Sequence, residues 1–185
     1  MMAAEYFLEK SFSNFAVWSS SRSQAFIDRR RGFQEALKKA GFNAFADGPQ
    51  AAAHQVHPTE TKEPAHLKKW LLSLPRPCAV FAESDFAAYR ICQAWAEAGL
   101  HIPEELAVMG VDNIPSLCEL SIPPLSSIPQ PTEQIGKRAV QVLKRLMESG
   151  SIKESFCKVA PLPIITRQST DIFAVQDPVV RKALR

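Results

Sequence analysis

Three polar stretches stand at the ends of apolar runs and carry residue types that can hold a small polar ligand. Asp112-Asn113 closes the run 106–111, Glu83-Ser84-Asp85 closes 78–82, and Ser19–Arg31 follows 14–18. A carboxylate such as Asp112 accepts a hydroxyl proton on each oxygen. A guanidinium such as Arg29 donates a fork of hydrogen bonds suited to vicinal hydroxyls. Each residue also has a plainer reading. Asp112 suits a turn cap. Arg29 suits a surface cation in the run Arg29-Arg30-Arg31, or a salt-bridge partner for a strand-end aspartate. Ser84 can cap a helix, Asp85 can complement its N-terminal dipole, and Asn113 can cap the following turn. Arg29 lies three residues after Phe26 and four before Phe33, which puts it beside the apolar stripe of its helix rather than opposite it.

These groups depend on the elements that carry them. Helical spacing is expected over 2–10, 22–40, 64–73, 85–98 and 131–149, and a further helix over 177–185. Gly41 and Gly99 stop two of them, and Pro64 and Pro131 suit first turns. Strands are expected at 14–18, 43–46, 78–82, 106–111 and 160–167, with 47–63 a loop and "SIPPLSSI" an extended proline-broken crossing. Strands alternating with helices predict βαβ units and an α/β, doubly wound parallel sheet. The unbroken apolar run "LAVMGV" fits a strand buried on both faces. In such sheets ligands bind beyond the carboxyl ends of the strands, where all three polar stretches fall.

Composition bounds the rest. With 46% hydrophobic and 22% charged residues, 185 residues suffice for one packed core. A net charge of +3 is too mild to indicate nucleic acid by itself. No stretch approaches a membrane span, and the start lacks the basic region of a signal peptide, so a cytoplasmic protein is expected. Cys78, Cys92, Cys118 and Cys157 form no C-x-x-C pair and read as reduced core residues. His54, His57, Glu60, Glu63 and His66 are too loosely spaced for a metal site, and no metal or cofactor is expected. Trp18, Trp70 and Phe86 could stack on the apolar face of a bound ring, though core packing is the simpler role. No P-loop, G-x-S-x-G or G-x-G-x-x-G motif is present.

The order "DRRRGFQEALKKAG", "ESDFAA", "IPEELAVMGVD", "PPLSSI" and "TRQS" resembles the effector-binding region of bacterial LacI/GalR-type regulators. The tail "TRQSTDIFAVQDPVVRKALR" is similar to the junction in xylose-operon regulators, where such a sensor precedes an AraC-type DNA-binding domain. The resemblance implies a periplasmic-binding-protein-like type I fold of two lobes closing on a sugar, mainly the C-terminal lobe here. Residues 1–122 would be the second lobe, 123–170 the interlobe crossings with part of the first lobe, and 171–185 the start of a linker. Arg29 matches the family's sugar-binding arginine, and Asp112 would take two sugar hydroxyls. Ser84 stands where an asparagine is more common, and Ser23 would face the cleft. The expected function is sensing of a sugar, D-xylose, by a transcriptional regulator that is not an enzyme. DNA would be reached only through a domain absent from this chain, and a homo-oligomer is expected, with no membrane partner. The stripe Ile135, Ala139, Val142, Leu143, Leu146 and Met147 should stay partly exposed for docking or swapping. The rival readings are a periplasmic-type solute receptor, and a small α/β enzyme with Asp85 or Asp112 as general base.

Overall fold

The computed structural model describes residues 2–19, 23–47, 65–150 and 158–174. The expected helix at 177–185, most of the loop 47–63 and Cys157 lie outside the described residues. Strands β1 (Phe15–Trp18), β2 (Ala44–Asp47), β3 (Cys78–Ala82) and β4 (Leu106–Asp112) form where the apolar runs are continuous. A fifth strand, β5 (Ser126–Pro129), joins them, and all neighbours run parallel in the order β2-β1-β3-β4-β5. The fold is therefore the doubly wound parallel α/β sheet that the alternation predicts.

Alternation along the strands divides the core. Phe15, Val17, Phe81, Met109 and Val111 meet α1 (Met2–Glu9) and α2 (Gln24–Lys39) through Phe7, Phe33 and Leu37. Phe33 stacks on Phe81 with ring centroids 4.9 Å apart. The opposite side chains, Ala16, Trp18, Val80, Ala82 and Val108, meet α3 (Ala65–Ser73) and α4 (Asp85–Ala96) through Leu67, Leu71, Ile91 and Trp95. Helices on both faces explain why these strands are apolar at every position rather than at alternate ones. Cys78, Cys92 and Cys118 are buried and free, and burial pushes each thiol up to about 12, so they pack as neutral side chains.

Helix ends follow local chemistry. Ser23 caps α2 by accepting the Phe26 N–H at 3.4 Å, and Gly41 ends it at φ +84°. Ser84 caps α4 by accepting the Ala87 N–H at 3.2 Å. After β4 comes one turn, α5 (Pro115–Cys118), which the sequence reading did not contain. Helix α6 (Thr132–Ser149) ends on left-handed Gly150. None of its residues is buried, and Met147 is 79% exposed, as expected for that stripe.

Two expectations need correction. The crossing "SIPPLSSI" is more than extended: its second half is β5, paired from Met109↔Ser126 to Asp112↔Pro129. Pro123 and Pro124 fall before the strand and Pro129 at its last position, where they cost no interior ladder bond. The strand expected at 160–167 shrinks to a single antiparallel bridge, Ser127↔Ile165. Pro161 and Pro163 have no N–H to donate, so the ladder cannot extend backward from Ile165.

Gly110, inside β4, marks a close approach. A Cβ there would run into the Asp85 carboxylate and lie 3.0 Å from the Asp85 Cα and 3.2 Å from the Ala88 Cβ. Replacing Gly110 by Ala should lower stability by about 1–3 kcal/mol through overpacking against backbone. Urea unfolding measures this, and a neutral result would contradict the close packing of α4 on β4.

Candidate ligand-binding site at the carboxyl ends of the strands

Strands β3 and β4 lie side by side and parallel, so their carboxyl ends bring Glu83 and Asp112 to one edge. Helix α2 packs across the sheet through Phe33 and Leu37, and Arg29, a turn before Phe33, reaches over that edge. One guanidinium nitrogen of Arg29 donates to the Glu83 main-chain carbonyl at 2.5 Å, and the other donates to Asp112 Oδ1 at 3.1 Å. The two side chains are 22% and 31% exposed, so the pair is partly open to solvent and able to meet a ligand. Burial raises the Asp112 pKa above its usual value, and the charge and hydrogen bond of Arg29 pull against that rise.

The structure thus brings together two of the four residues singled out. Ser84 follows the carbonyl that Arg29 holds, but it is buried and its oxygen caps α4. Ser23 lies at the cap of the helix that carries Arg29. Trp18 and Trp70 belong to the core, with ring centroids 5.2 Å apart, and His66 stacks on Trp18 at 5.5 Å. His54, His57, Glu60 and Glu63 lie outside the described residues.

Two neighbours of the pair differ from the sequence reading. Asn113 does not cap α5, whose N-cap is Ile114; its Oδ1 accepts from an Arg167 guanidinium nitrogen at 3.0 Å. Asp85 stands in the first turn of α4 but is fully buried at 0% exposure. Its Oδ1 accepts the Ser127 hydroxyl at 2.5 Å and its Oδ2 accepts the Ile114 N–H at 2.6 Å. These bonds remove it as a solvent-facing general base. The missed signal was helical phase. Asp85, Ala88, Cys92 and Trp95 share one face of α4, so a carboxylate on that stripe had to be buried and partnered.

An all-parallel doubly wound sheet with polar side chains gathered at its strand ends is the arrangement of periplasmic-binding-protein-like α/β domains. The chain belongs to the periplasmic binding protein-like domain family, which matches residues 4–170. Among curated relatives it is 30% identical to the xylose operon regulatory protein of Haemophilus influenzae, over 99% of this chain and 47% of that protein. It is 29% identical to the ribose operon repressor of Escherichia coli, over 87% of this chain and 48% of that protein. The chain spans about half the length of these relatives. Its fold superposes on a structure of the xylose-binding transcription activator xylR with TM-score 0.82 and 26% identity, covering 98% of this chain and 48% of that one. A dimeric Lac repressor shares the fold at TM-score 0.74 and 18% identity, over 93% of this chain and 60% of that one. No helix among the described residues is long and apolar enough to cross a membrane.

Burial raises the Asp85 pKa above its ordinary 3.8, although the Ser127 and Ile114 hydrogen bonds oppose the shift. The folded state therefore holds this proton more tightly than the unfolded one. Its stabilising contribution is full below pH 3.8 and is lost as pH rises through the raised value. Asp85→Asn does not titrate, so its stability relative to wild type should improve as pH rises above about 4. Urea midpoints at several pH values test this; a difference independent of pH would contradict the raised pKa.

Proposed function

We propose that this chain is the effector-binding module of a bacterial transcriptional regulator and that its effector is a sugar, D-xylose. The observation that carries the reading is the meeting of Arg29 and Asp112 at the carboxyl ends of β3 and β4. A fork of donors beside a two-oxygen acceptor matches a vicinal diol, whose hydroxyls each donate and accept. The sugar would take over part of the Arg29–Asp112 pairing, so the site is ordered before the ligand arrives, which lowers the ordering cost of binding. The names of the similar xylose and ribose operon regulators support a pentose. Ser84 and Ser23 are secondary candidates for contact. No catalytic role is proposed.

In this reading residues 1–122 form the second lobe of a two-lobed sensor. Residues 123–170 supply crossings and part of the first lobe, and 171–185 begin a linker to a DNA-binding domain of the AraC type. The exposed stripe of α6, which lines a groove of about 570 Å³ with Pro131, Val159 and Pro161, is then the face that the remainder of the first lobe covers. Sugar bound between the lobes would favour the closed state, and the population shift would reach DNA through the attached domain in a cytoplasmic homo-oligomer.

The chain alone offers one wall of that cleft, so a dissociation constant of about 1 mM or weaker is expected. Titration of the 15N-labelled chain with D-xylose, D-ribose and D-glucose should shift the Arg29 side-chain signals and the Asn113 amide with xylose first. Arg29→Met should abolish the shifts. No heat from any pentose or hexose in calorimetry of a full-length, two-lobed version would overturn the effector assignment, and micromolar affinity in this chain would overturn the division into lobes.

A further inference from the structure

Asp112 and Asn113 both adopt left-handed backbone, at φ +107° and +53°. Such a conformation is unfavourable for non-glycine residues and persists only where surrounding contacts over-determine it. The contacts come from three separate parts of the chain. The Asn113 N–H donates to Ser127 Oγ at 3.0 Å, and the next N–H, of Ile114, donates to Asp85 Oδ2 at 2.6 Å. The Ser127 hydroxyl in turn donates to Asp85 Oδ1. From the return segment, one Arg167 guanidinium nitrogen donates to Asn113 Oδ1 at 3.0 Å and the other to the Leu125 carbonyl at 2.9 Å. Ser127 and Arg167 lie on the two segments that meet at the bridge Ser127↔Ile165. Those segments are further joined by Ser126 and Ser169, whose hydroxyl reaches the Val108 carbonyl at 2.6 Å.

We propose that Asp85, Ser127 and Arg167 are positioning residues that aim the Asp112 carboxylate at Arg29, and that they couple this site to the segments 126–129 and 165–170. The coupling rests on the function proposed above only in calling the site a sugar site; the clamp itself is independent of ligand. Its logic is geometric. Ser127 is donor to Asp85 and acceptor from Asn113, so a displacement of β5 breaks both bonds at once. The backbone at 112–113 then relaxes toward negative φ, and the carboxylate turns away from the guanidinium. In the reverse direction, a ligand that redirects Asp112 loads the Ser127 and Arg167 bonds and biases the two crossing segments. Ser127 is buried, so water cannot replace the lost partners without opening the sheet edge.

The test needs no sugar. In the 15N-labelled chain, Ser127→Ala should speed hydrogen exchange of the Asn113 and Ile114 amides by roughly tenfold or more, while the Val80 and Val108 amides keep their rates. The Arg29 side-chain N–H signals should shift as the Asp112 partner is lost, while the bond to the Glu83 carbonyl remains. Ser127→Thr, which keeps the hydroxyl, should restore both readouts. Arg167→Met, at a half-buried position, should shift the same Arg29 signals and decides the matter if Ser127→Ala does not fold. Unchanged Arg29 signals in the folded variants, or equal acceleration of all amides, would overturn the proposal. A chain that shows the clamp, beside a full-length version that gives no heat with any sugar, would refute the sugar assignment alone.

Discussion

One guanidinium holds two strand ends together. Arg29 can reach the Glu83 carbonyl and the Asp112 carboxylate only if β3 and β4 are neighbours, run parallel and stop at the same level. It also requires α2 to lie on the sheet with Phe33 and Leu37 inward, because that rotation turns Arg29 toward the edge. The apolar core and the polar edge are thus one arrangement. Packing Phe33 against Phe81 fixes the helix whose preceding turn carries the donor.

The edge is kept ordered by polar groups buried beneath it. Asp85, Ser126, Ser127, Ser169 and Thr170 are all buried and hydrogen-bonded to one another or to the strands. Buried polar networks are costly when half satisfied and specify one geometry when complete. Here completeness demands an empty position at Gly110, where any side chain would occupy the space of the Asp85 carboxylate. It also demands that the segment around Ile165 return to β5, since Ser169 supplies the partner of the Ser126 N–H.

Much of this was legible from residues. Strands β1, β3 and β4 are unbroken apolar runs, and α4 carries its cap at Ser84 as expected, whereas the Ser23 cap of α2 lies one residue inside the helix expected over 22–40. The family resemblance, supported by the strand end at Asp112 and the stripe phase of Arg29, located both members of the pair, although the sequence left open whether Arg29 faced a ligand or a strand-end aspartate. In this structure it holds the aspartate. The failures share a cause: they involve partners distant in sequence. Prolines hid β5 because local preference reads them as sheet-breaking, whereas the pairing that decides comes from β4. Around 160–167 the apolar residues suggest a strand, but Pro161 and Pro163 supply no N–H for its ladder. Asn113 suits the turn beside it, but its partner Arg167 lies 54 residues away. The first-turn position of Asp85 suggests a dipole charge, whereas the helix face it shares with Trp95 buries it.

The most direct measurement is a double-mutant cycle on Arg29→Met and Asp112→Ala, read by urea unfolding of the chain. The pair is partly solvated, so a coupling free energy on the order of 1 kcal/mol is expected, with the double variant more stable than the sum of the singles implies. Strictly additive losses would show that guanidinium and carboxylate do not act as a unit, and the site built on their meeting would fall with it.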